Sequence, residues 1–249
     1  MKCSICIATY NKPAILSRCL TSIVTQHIPF LYEVIVVDDG SPTDETYQIC
    51  CELHTVNYIR VDRQPGYNNP AKARNVAYKQ AKGEIIISQD DDIVHDGNCV
   101  KRLVELVTPD CIVLPTVDNI DPVTGEHVSL GLWRHTMAEH RNRVFYIHPT
   151  RHRNSSCCFV ALHREHVYAV GGNEEKFDIG QGEDTYFFEC LINGLKLCPY
   201  YTEEVIGHHL SHNRYKWSRD KRLKSLALLE ELRANKQYIA TGGPWPYSD

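Results

Sequence analysis

The sequence contains no long apolar run and no excess of basic residues. None of its hydrophobic stretches approaches the roughly 20 residues that a membrane-spanning helix needs. It has 27 Lys and Arg residues against 31 Asp and Glu residues, so the chain is not a polycation that coats nucleic acid. The first apolar stretch is short and ends at Asn11, Lys12 and Pro13. We therefore expect a strand there rather than a signal peptide, and a cytoplasmic protein with no nucleic-acid partner.

Several motifs of nucleotide and ester chemistry are also missing. No Gly-x-Gly-x-x-Gly or Gly-x₄-Gly-Lys-Ser/Thr follows a predicted strand, which argues against a dinucleotide-binding domain and a P-loop. The chain has no Gly-x-Ser-x-Gly nucleophile elbow. Val37 stands two residues before Asp39, where a haloacid-dehalogenase nucleophile would require an aspartate. The chemistry must therefore come from other residues.

What the chain does have is a globular composition, with 43% hydrophobic residues and 11 cysteines among 249 residues. An odd number of cysteines in a chain without a secretory signal predicts buried, reduced thiols rather than disulfides. Cys3 and Cys6 have the spacing of metal ligands, but residues three apart on one strand face opposite ways and no second pair follows. We interpret them as core residues.

The first 115 residues alternate short β-branched runs with amphipathic segments. Strands are predicted at 4–9, 33–38, 57–60, 84–89 and 111–115, and helices at 13–26, 44–54, 70–81 and 98–107. This alternation is typical of βαβ units around a mainly parallel sheet. A strand at 156–162 and helices at 164–170, 183–193 and 219–237 follow. The sequence therefore predicts an α/β domain over 1–212, with halves 1–115 and 116–212, and a basic C-terminal helix and tail over 213–249.

Acidic residues follow two of the predicted strands. Asp38 and Asp39 follow the second strand, and Asp90, Asp91 and Asp92 follow the fourth. Ligands of open α/β sheets bind beyond the carboxyl ends of the strands, so both clusters should line one crevice. Asp90 and Asp92 can present oxygens to the same side, as Mg²⁺ or Mn²⁺ requires. The alternative is a solvated acidic turn.

Four motifs in this order resemble glycosyltransferase family 2, over roughly residues 2–212. They are 7–11 (IATYN), 36–41 (VVDDGS), 73–77 (ARNVA) with 82–84 (KGE) before the acidic triplet, and 172–184, which ends in Glu-Asp. The resemblance implies a GT-A fold, which is Rossmann-like with a mainly parallel sheet between helices. It also implies inverting transfer of a sugar from a nucleoside diphosphate, usually UDP, to a hydroxyl of a glycan, a lipid-linked or another acceptor.

The resemblance also assigns roles to individual residues. It places Asp184 as the catalytic base beside Glu183, and Asp90 with Asp92 as ligands of Mn²⁺ or Mg²⁺. Because Gln89 stands where many relatives have aspartate, Asp91 with Asp92 is the alternative metal pair. A further metal ligand is expected downstream of the base, at His208 with His209 as the alternative. The remaining candidates for the nucleotide and substrates are Thr9, Tyr10, Asn11, Asp38, Asp39, Lys72, Arg74, Asp90, Asp91 and Trp133.

The sequence alone leaves three questions open. The fold also suits a non-catalytic module that binds nucleotide sugars or glycans, or less readily a nucleotidyltransferase. The basic segment from Arg214 to Lys224 is either a solvated helix face or a contact with the diphosphate and with an anionic acceptor or membrane surface. The leucines at 223, 226, 229 and 232 indicate packing within the chain or a contact with another surface.

Overall fold

A computed structural model describes residues 1–128, 158–212 and 217–247, and the backbone of 146–147 and 153–155. The strands are β1 (Cys3–Thr9), β2 (Tyr32–Asp38), β3 (Val56–Arg60), β4 (Ile85–Asp90), β5 (Ile93–His95), β6 (Cys111–Ile120), β7 (Tyr146–Ile147), β8 (Arg153–Ser155), β9 (Phe159–His163) and β10 (Cys198–Leu210). The helices are α1 (Pro13–Val24), α2 (Glu45–Cys51), α3 (Ala71–Gln80), α4 (Cys99–Leu106), α5 (Arg164–Val170), α6 (Glu183–Glu189) and α7 (Arg219–Asn235).

One central sheet organises the molecule, with the strand order β3-β2-β1-β4-β9-β6-β10-β5. The four strands β3, β2, β1 and β4 are parallel, as the βαβ pattern predicts. Beyond β4 the sheet is mixed: β9 runs antiparallel to β4, and β6 and β10 run parallel to each other. The prediction of a mainly parallel α/β sheet is thus confirmed for the half over residues 1–115.

Apolar residues cover both faces of this sheet. Cys6 belongs to the core under α3, α5 and α6, whereas Cys3 belongs to the core under α1 and α4. Both cysteines are buried, so they are core residues as predicted. All the cysteines in the described residues are free thiols. The alternation of side chains along β1 therefore lets one short strand anchor both layers.

Close backbone approaches explain two glycines near the site. A Cβ on Gly83 would lie 2.4 Å from the backbone carbon of Cys3, so only glycine lets the chain enter β4 this close to β1. Gly182 precedes α6 with a φ of 98°, and a Cβ there would lie 2.9 Å from the Phe177 ring. These contacts fix the starts of β4 and α6; acidic residues lie at the far end of β4 and in the first turn of α6.

Two predictions of secondary structure need correction. The strands β5 and β10 were not predicted, although β10 is 13 residues long and pairs with both β6 and β5. The expected helix over 183–193 is α-helical only to Glu189 and continues as a π-turn over Cys190–Gly194. β10 escapes the sequence pattern because a bulge between Thr202 and Ile206 interrupts its alternation.

The C-terminal helix α7 packs on the domain through only part of its leucine stripe. Leu229 is 5% exposed and belongs to the core, with Leu232 packed partly against it. Leu223 and Leu226 are 53% and 45% exposed. The stripe therefore combines an internal contact with an open face. No helix among the described residues combines the length and apolar character that crossing a bilayer requires.

Candidate functional site

A cleft of about 460 Å³ opens at the carboxyl ends of β1 and β4. Most of the acidic candidates meet there, as the position of the strand ends predicts. Predicted site residues that line the cleft are Thr9, Tyr10, Asp39, Arg74, Asp90, Asp91, Asp92, Glu183 and Asp184. Residues from both halves of the sequence thus line one cleft.

The three consecutive aspartates bind three different sets of partners. Asp90 accepts a hydrogen bond from Arg74 Nη2 at 2.5 Å. Asp91 accepts from Thr9 Oγ1 at 2.7 Å and from Lys12 Nζ at 3.0 Å. The side chain of Asp92 is 3% exposed, and its Oδ2 lies 3.0 Å from Lys12 Nζ. The repulsion expected within the triplet is therefore relieved by two cationic side chains.

These environments separate the acidities of the three carboxyls. Burial raises the pKa of Asp91 to about 6, although Lys12 opposes the shift. Burial also raises the pKa of Asp90, against the effect of Arg74. Burial acts on Asp92 as well, but His212, His209 and Lys12 outweigh it and hold its pKa well below the usual range. Asp92 is therefore the member of the triplet whose charged form the surroundings favour most.

Asp92, His209 and His212 form a cluster with the donor set of a metal centre. Their ligand atoms all lie within 4.8 Å of one another. His212 Nε2 is 2.9 Å from Asp92 Oδ2, and His209 Nε2 is 3.4 Å from Asp92 Oδ1. Two ligands at right angles around an ion, each about 2.1 Å away, would be separated by about 3.0 Å. The measured 2.9 Å between Asp92 and His212 fits such a pair.

His208, which the sequence analysis places before His209 as a metal ligand, lies elsewhere. Its Nε2 lies 3.6 Å from Asp96, and it is not part of the cluster around Asp92. Neighbouring residues of a strand face opposite sides of the sheet, so β10 presents His209 to Asp92 and turns His208 away. Of the predicted aspartates, Asp92 joins the cluster, whereas Asp90 contacts Arg74.

Asn119 orients the ring of His209. Its Oδ1 lies 2.5 Å from His209 Nδ1, across the pair that joins β6 to β10. A carbonyl oxygen accepts a hydrogen bond, so Nδ1 carries the proton and Nε2 presents its lone pair towards Asp92. Such outer partners fix the tautomer and orientation of metal-binding histidines. Sequence reasoning missed Asn119 because its role depends on the register of β6 against β10.

We expect Asn119→Ala to weaken the binding of Mn²⁺ by about 10- to 100-fold, since loss of an outer partner typically has this effect. Titration calorimetry with Mn²⁺ measures the affinity directly. Asn57→Ala, at an exposed position on β3, is the matched control. Equal Mn²⁺ affinity in Asn119→Ala and the control would contradict the role assigned to Asn119.

Asp184 and Glu183 occupy the first turn of α6 and have different surroundings. Arg74 is almost fully buried and donates from Nη1 to Asp184 Oδ1 and from Nη2 to Asp90 Oδ1. The Asp184 side chain is 26% exposed where it lines the cleft. Glu183 is 3% exposed, and burial together with the charge of Asp184 raises its pKa well above the usual range. Asp184 is therefore the accessible carboxylate of the pair.

The opposite end of the cleft is built around Arg63, which sequence reasoning missed. The guanidinium lies 3.7 Å from the centre of the Tyr10 ring. It also donates to Asp39 Oδ2 and to Asn68 Oδ1 at 2.5 Å. Burial raises the pKa of Asp39, and Arg63 counters this shift. The result is a wall with an aromatic face, a cation and a carboxylate, brought together from β1, β2 and the segment after β3.

Asp38, Asn11 and Lys72 do not line this cleft. Asp38 is fully buried, where it accepts hydrogen bonds from Ser41 N at 2.8 Å and from the Tyr58 hydroxyl at 2.9 Å. Asp39, one residue later, lines the cleft instead. Asn11 joins the two loops through a bond from its backbone N to Ser41 Oγ at 2.8 Å. Lys72 Nζ instead contacts Gln64 Oε1 at 2.5 Å.

The remaining predicted residue, Trp133, lies outside the described residues, as do the side chains of the Arg- and His-rich segment after it. Lys12 and His212 line the cleft but were not predicted. Lys12 immediately follows the first motif and His212 closes the histidine-rich run, so both had a local signal. Their partners are 79 and 120 residues away, which local patterns do not reveal.

Comparison of the sequence with protein families and curated proteins finds sugar-transferring enzymes. Residues 4–167, more than half the chain, match the profile of Glycosyl transferase family 2. Over 94 residues the chain is 38% identical to poly(ribitol-phosphate) beta-N-acetylglucosaminyltransferase TarS of Staphylococcus aureus. The aligned segment covers 37% of this chain and 16% of TarS. Over 107 residues it is 30% identical to the dolichol-phosphate mannosyltransferase of Pyrococcus furiosus, covering 43% and 30% of the two chains. These matches span less than a third of either relative.

The fold is similar to that of solved TarS structures. The complex of S. aureus TarS 1–349 with UDP superimposes with a TM-score of 0.68 at 19% identity, covering 98% of this chain and 68% of that one. The complex of the same fragment with UDP-GlcNAc gives a TM-score of 0.65 at 18% identity, with the same coverage. This likeness confirms the predicted GT-A fold with a C-terminal helix.

Proposed function

The chain belongs to glycosyl transferase family 2, and from this premise we propose that its cleft transfers a sugar from a nucleoside diphosphate to an acceptor hydroxyl, with inversion and with the help of a divalent ion. The observation that carries the proposal is that Asp39, Asp92 and Asp184 line one cleft although 145 residues separate the first from the last. In this proposal Asp39 contacts the base, Asp92 holds the ion at the diphosphate, and Asp184 takes the proton of the acceptor hydroxyl.

Asp184 is the proposed general base. It lies in the first turn of α6, where the helix dipole favours a negative charge, and Arg74 holds one of its oxygens. The burial of Glu183 and the charge of Asp184 raise the pKa of the Glu183 carboxyl and favour its neutral form, so Asp184 is the better placed of the two to take the proton of the attacking hydroxyl. Positioned proton transfer of this kind typically contributes 10²–10⁴-fold to a rate.

Asp92, His209 and His212 are the proposed ligands of the divalent ion. Their spacing fits, and Asn119 fixes the required tautomer of His209. One carboxylate with two imidazoles is a mixed oxygen and nitrogen set, which favours Mn²⁺ over the strictly oxygen-preferring Mg²⁺. When bound, such an ion neutralises the charge that develops on a departing diphosphate. Asp90, held by Arg74, is left to face the sugar.

The wall formed by Tyr10, Asp39 and Arg63 is the proposed site of the nucleoside. A planar base stacks on aromatic or guanidinium faces, and the carboxylate of Asp39 can accept a hydrogen bond from a base N–H. Uracil carries such a donor. The complexes of TarS with UDP and UDP-GlcNAc support UDP as the first nucleotide to test. Thr9 serves indirectly here, because its hydroxyl fixes Asp91.

The acceptor side includes the exposed start of α7 in this proposal. Lys221, Arg222 and Lys224 stand beside the exposed Leu223 and Leu226, a combination that suits an anionic acceptor or membrane surface. Replacing the three basic residues with glutamine should weaken binding to vesicles containing anionic lipid, measured by sedimentation, by about 100-fold, since each basic residue near such a surface contributes about 1 kcal/mol. Vesicles of neutral lipid are the control. Unchanged sedimentation would remove the membrane contact from the proposal.

The experiment that tests the reaction is a screen of nucleotide sugars for release of the nucleoside diphosphate, with Mn²⁺ and with chelator. We expect slow Mn²⁺-dependent release from at least one UDP-sugar even without the natural acceptor, because water can replace the hydroxyl. Thermal shifts with the same compounds identify a donor that binds. Binding without turnover on any acceptor would favour the non-catalytic module.

A further inference from the structure

Lys12 contacts two of the three residues to which the proposed function assigns the divalent ion. Its Nζ lies 3.0 Å from Asp91 Oδ1, 3.0 Å from Asp92 Oδ2 and 3.3 Å from His212 Nε2. Two of these three atoms belong to the cluster that could hold the ion. The amine is thus an internal cation between Asp91, Asp92 and His212.

An ion and this amine cannot share these atoms. An ion about 2.1 Å from both Asp92 Oδ2 and His212 Nε2 would lie within about 4 Å of the observed position of Nζ. At that distance the repulsion between a dication and an ammonium group is large in a partly buried site. Both also require the same lone pairs of Asp92 and His212. Binding of the ion therefore requires the amine to leave.

The Lys12 amine can move into the cleft. Lys12 lines the cleft, its side chain is 30% exposed, and it immediately precedes Pro13 at the start of α1. A lysine combines a flexible four-carbon stem with a compact charge, so it can exchange one set of anionic partners for another without movement of the backbone. The anion that would enter this cleft is the diphosphate of the donor.

We propose that Lys12 is a donor-binding residue whose amine pairs with Asp91, Asp92 and His212 and moves to the donor diphosphate when a divalent ion and the nucleotide enter. The inference rests on the proposed function. Lys12 would affect the two affinities in opposite directions. It opposes binding of the ion alone, and it strengthens binding of the nucleoside diphosphate once the ion is present. A residue with only a structural role would shift both affinities in the same direction.

The test compares Lys12→Met with the wild type in two calorimetric titrations. In Mn²⁺ titrations without nucleotide, the dissociation constant should fall at least about fivefold, because a charged competitor for Asp92 is gone. In UDP titrations at saturating Mn²⁺, the dissociation constant should rise about tenfold, the lower end for loss of a hydrogen bond to a charged group. Lys12→Arg keeps the positive charge, so its dissociation constant for Mn²⁺ should stay close to that of the wild type.

Lys101→Met removes the same charge from an exposed position on α4 and should change neither titration. If Lys12→Met weakens both ligands, or leaves Mn²⁺ binding unchanged, the proposal is overturned while the proposed function stands. If the wild type binds neither UDP nor Mn²⁺, the proposed function fails and this inference fails with it.

Discussion

Replacing Asp184 with asparagine should reduce the rate of sugar transfer by about 10²–10⁴-fold, the range that a positioned general base contributes. The amide has the shape of the carboxylate and can still accept the hydrogen bond from Arg74, but it cannot take a proton from the acceptor. Binding of UDP and Mn²⁺ should therefore stay close to that of the wild type. Release of UDP during turnover and calorimetry with UDP measure the two quantities separately.

The control for this prediction is Asp178→Asn, which makes the same chemical change at an exposed position before α6. It should retain full activity. An Asp184→Asn enzyme that transfers sugar at the wild-type rate would show that another group is the base. A variant that also loses UDP binding would show instead that the side chain acts on the donor.

Asp92→Asn should reduce transfer by about 10³-fold or more, because a divalent ion supplies several kcal/mol to the stabilisation of a leaving group. Asp92 contributes the one carboxylate of the cluster and contacts both histidines. An amide oxygen has no charge to offer the ion, so addition of excess Mn²⁺ should restore only part of the activity. A titration of activity against Mn²⁺ concentration measures both effects.

The matched control is Asp96→Asn. Asp96 is 59% exposed and pairs with His208, which lies outside the cluster. This variant should show the Mn²⁺ dependence of the wild type. Activity that is equal in Asp92→Asn and Asp96→Asn would rule out a metal centre at Asp92 and return His208 to consideration.

The general position of the site could be predicted because carboxyl ends of parallel strands meet at one edge of a sheet. From this rule the sequence predicts that Asp39 and the triplet at 90–92 lie together. Asp184 was predicted only through the resemblance to a family, since nothing in its own local pattern indicates that α6 turns its first residues towards β4. The motif order supplied that long-range information.

The details that the sequence leaves undecided or misses depend on register. His208 and His209 differ by one position, and on a strand one position decides which side of the sheet a side chain faces. Because β10 was not predicted, the sequence offered no means to choose between them. Asp38 and Asp39 posed the same difficulty at the end of β2. Arg63 and Lys12 were missed because each gains its role from partners on other elements of the sheet.

The most direct test of the central claim is a pair of calorimetric titrations of UDP, one with Mn²⁺ and one with chelator, into the wild type and into Asp92→Asn. If the cleft binds a nucleoside diphosphate together with a divalent ion at Asp92, Mn²⁺ should tighten UDP binding to the wild type at least about tenfold and have little effect on the variant. UDP binding that is equally tight in both proteins with and without Mn²⁺ would contradict the account.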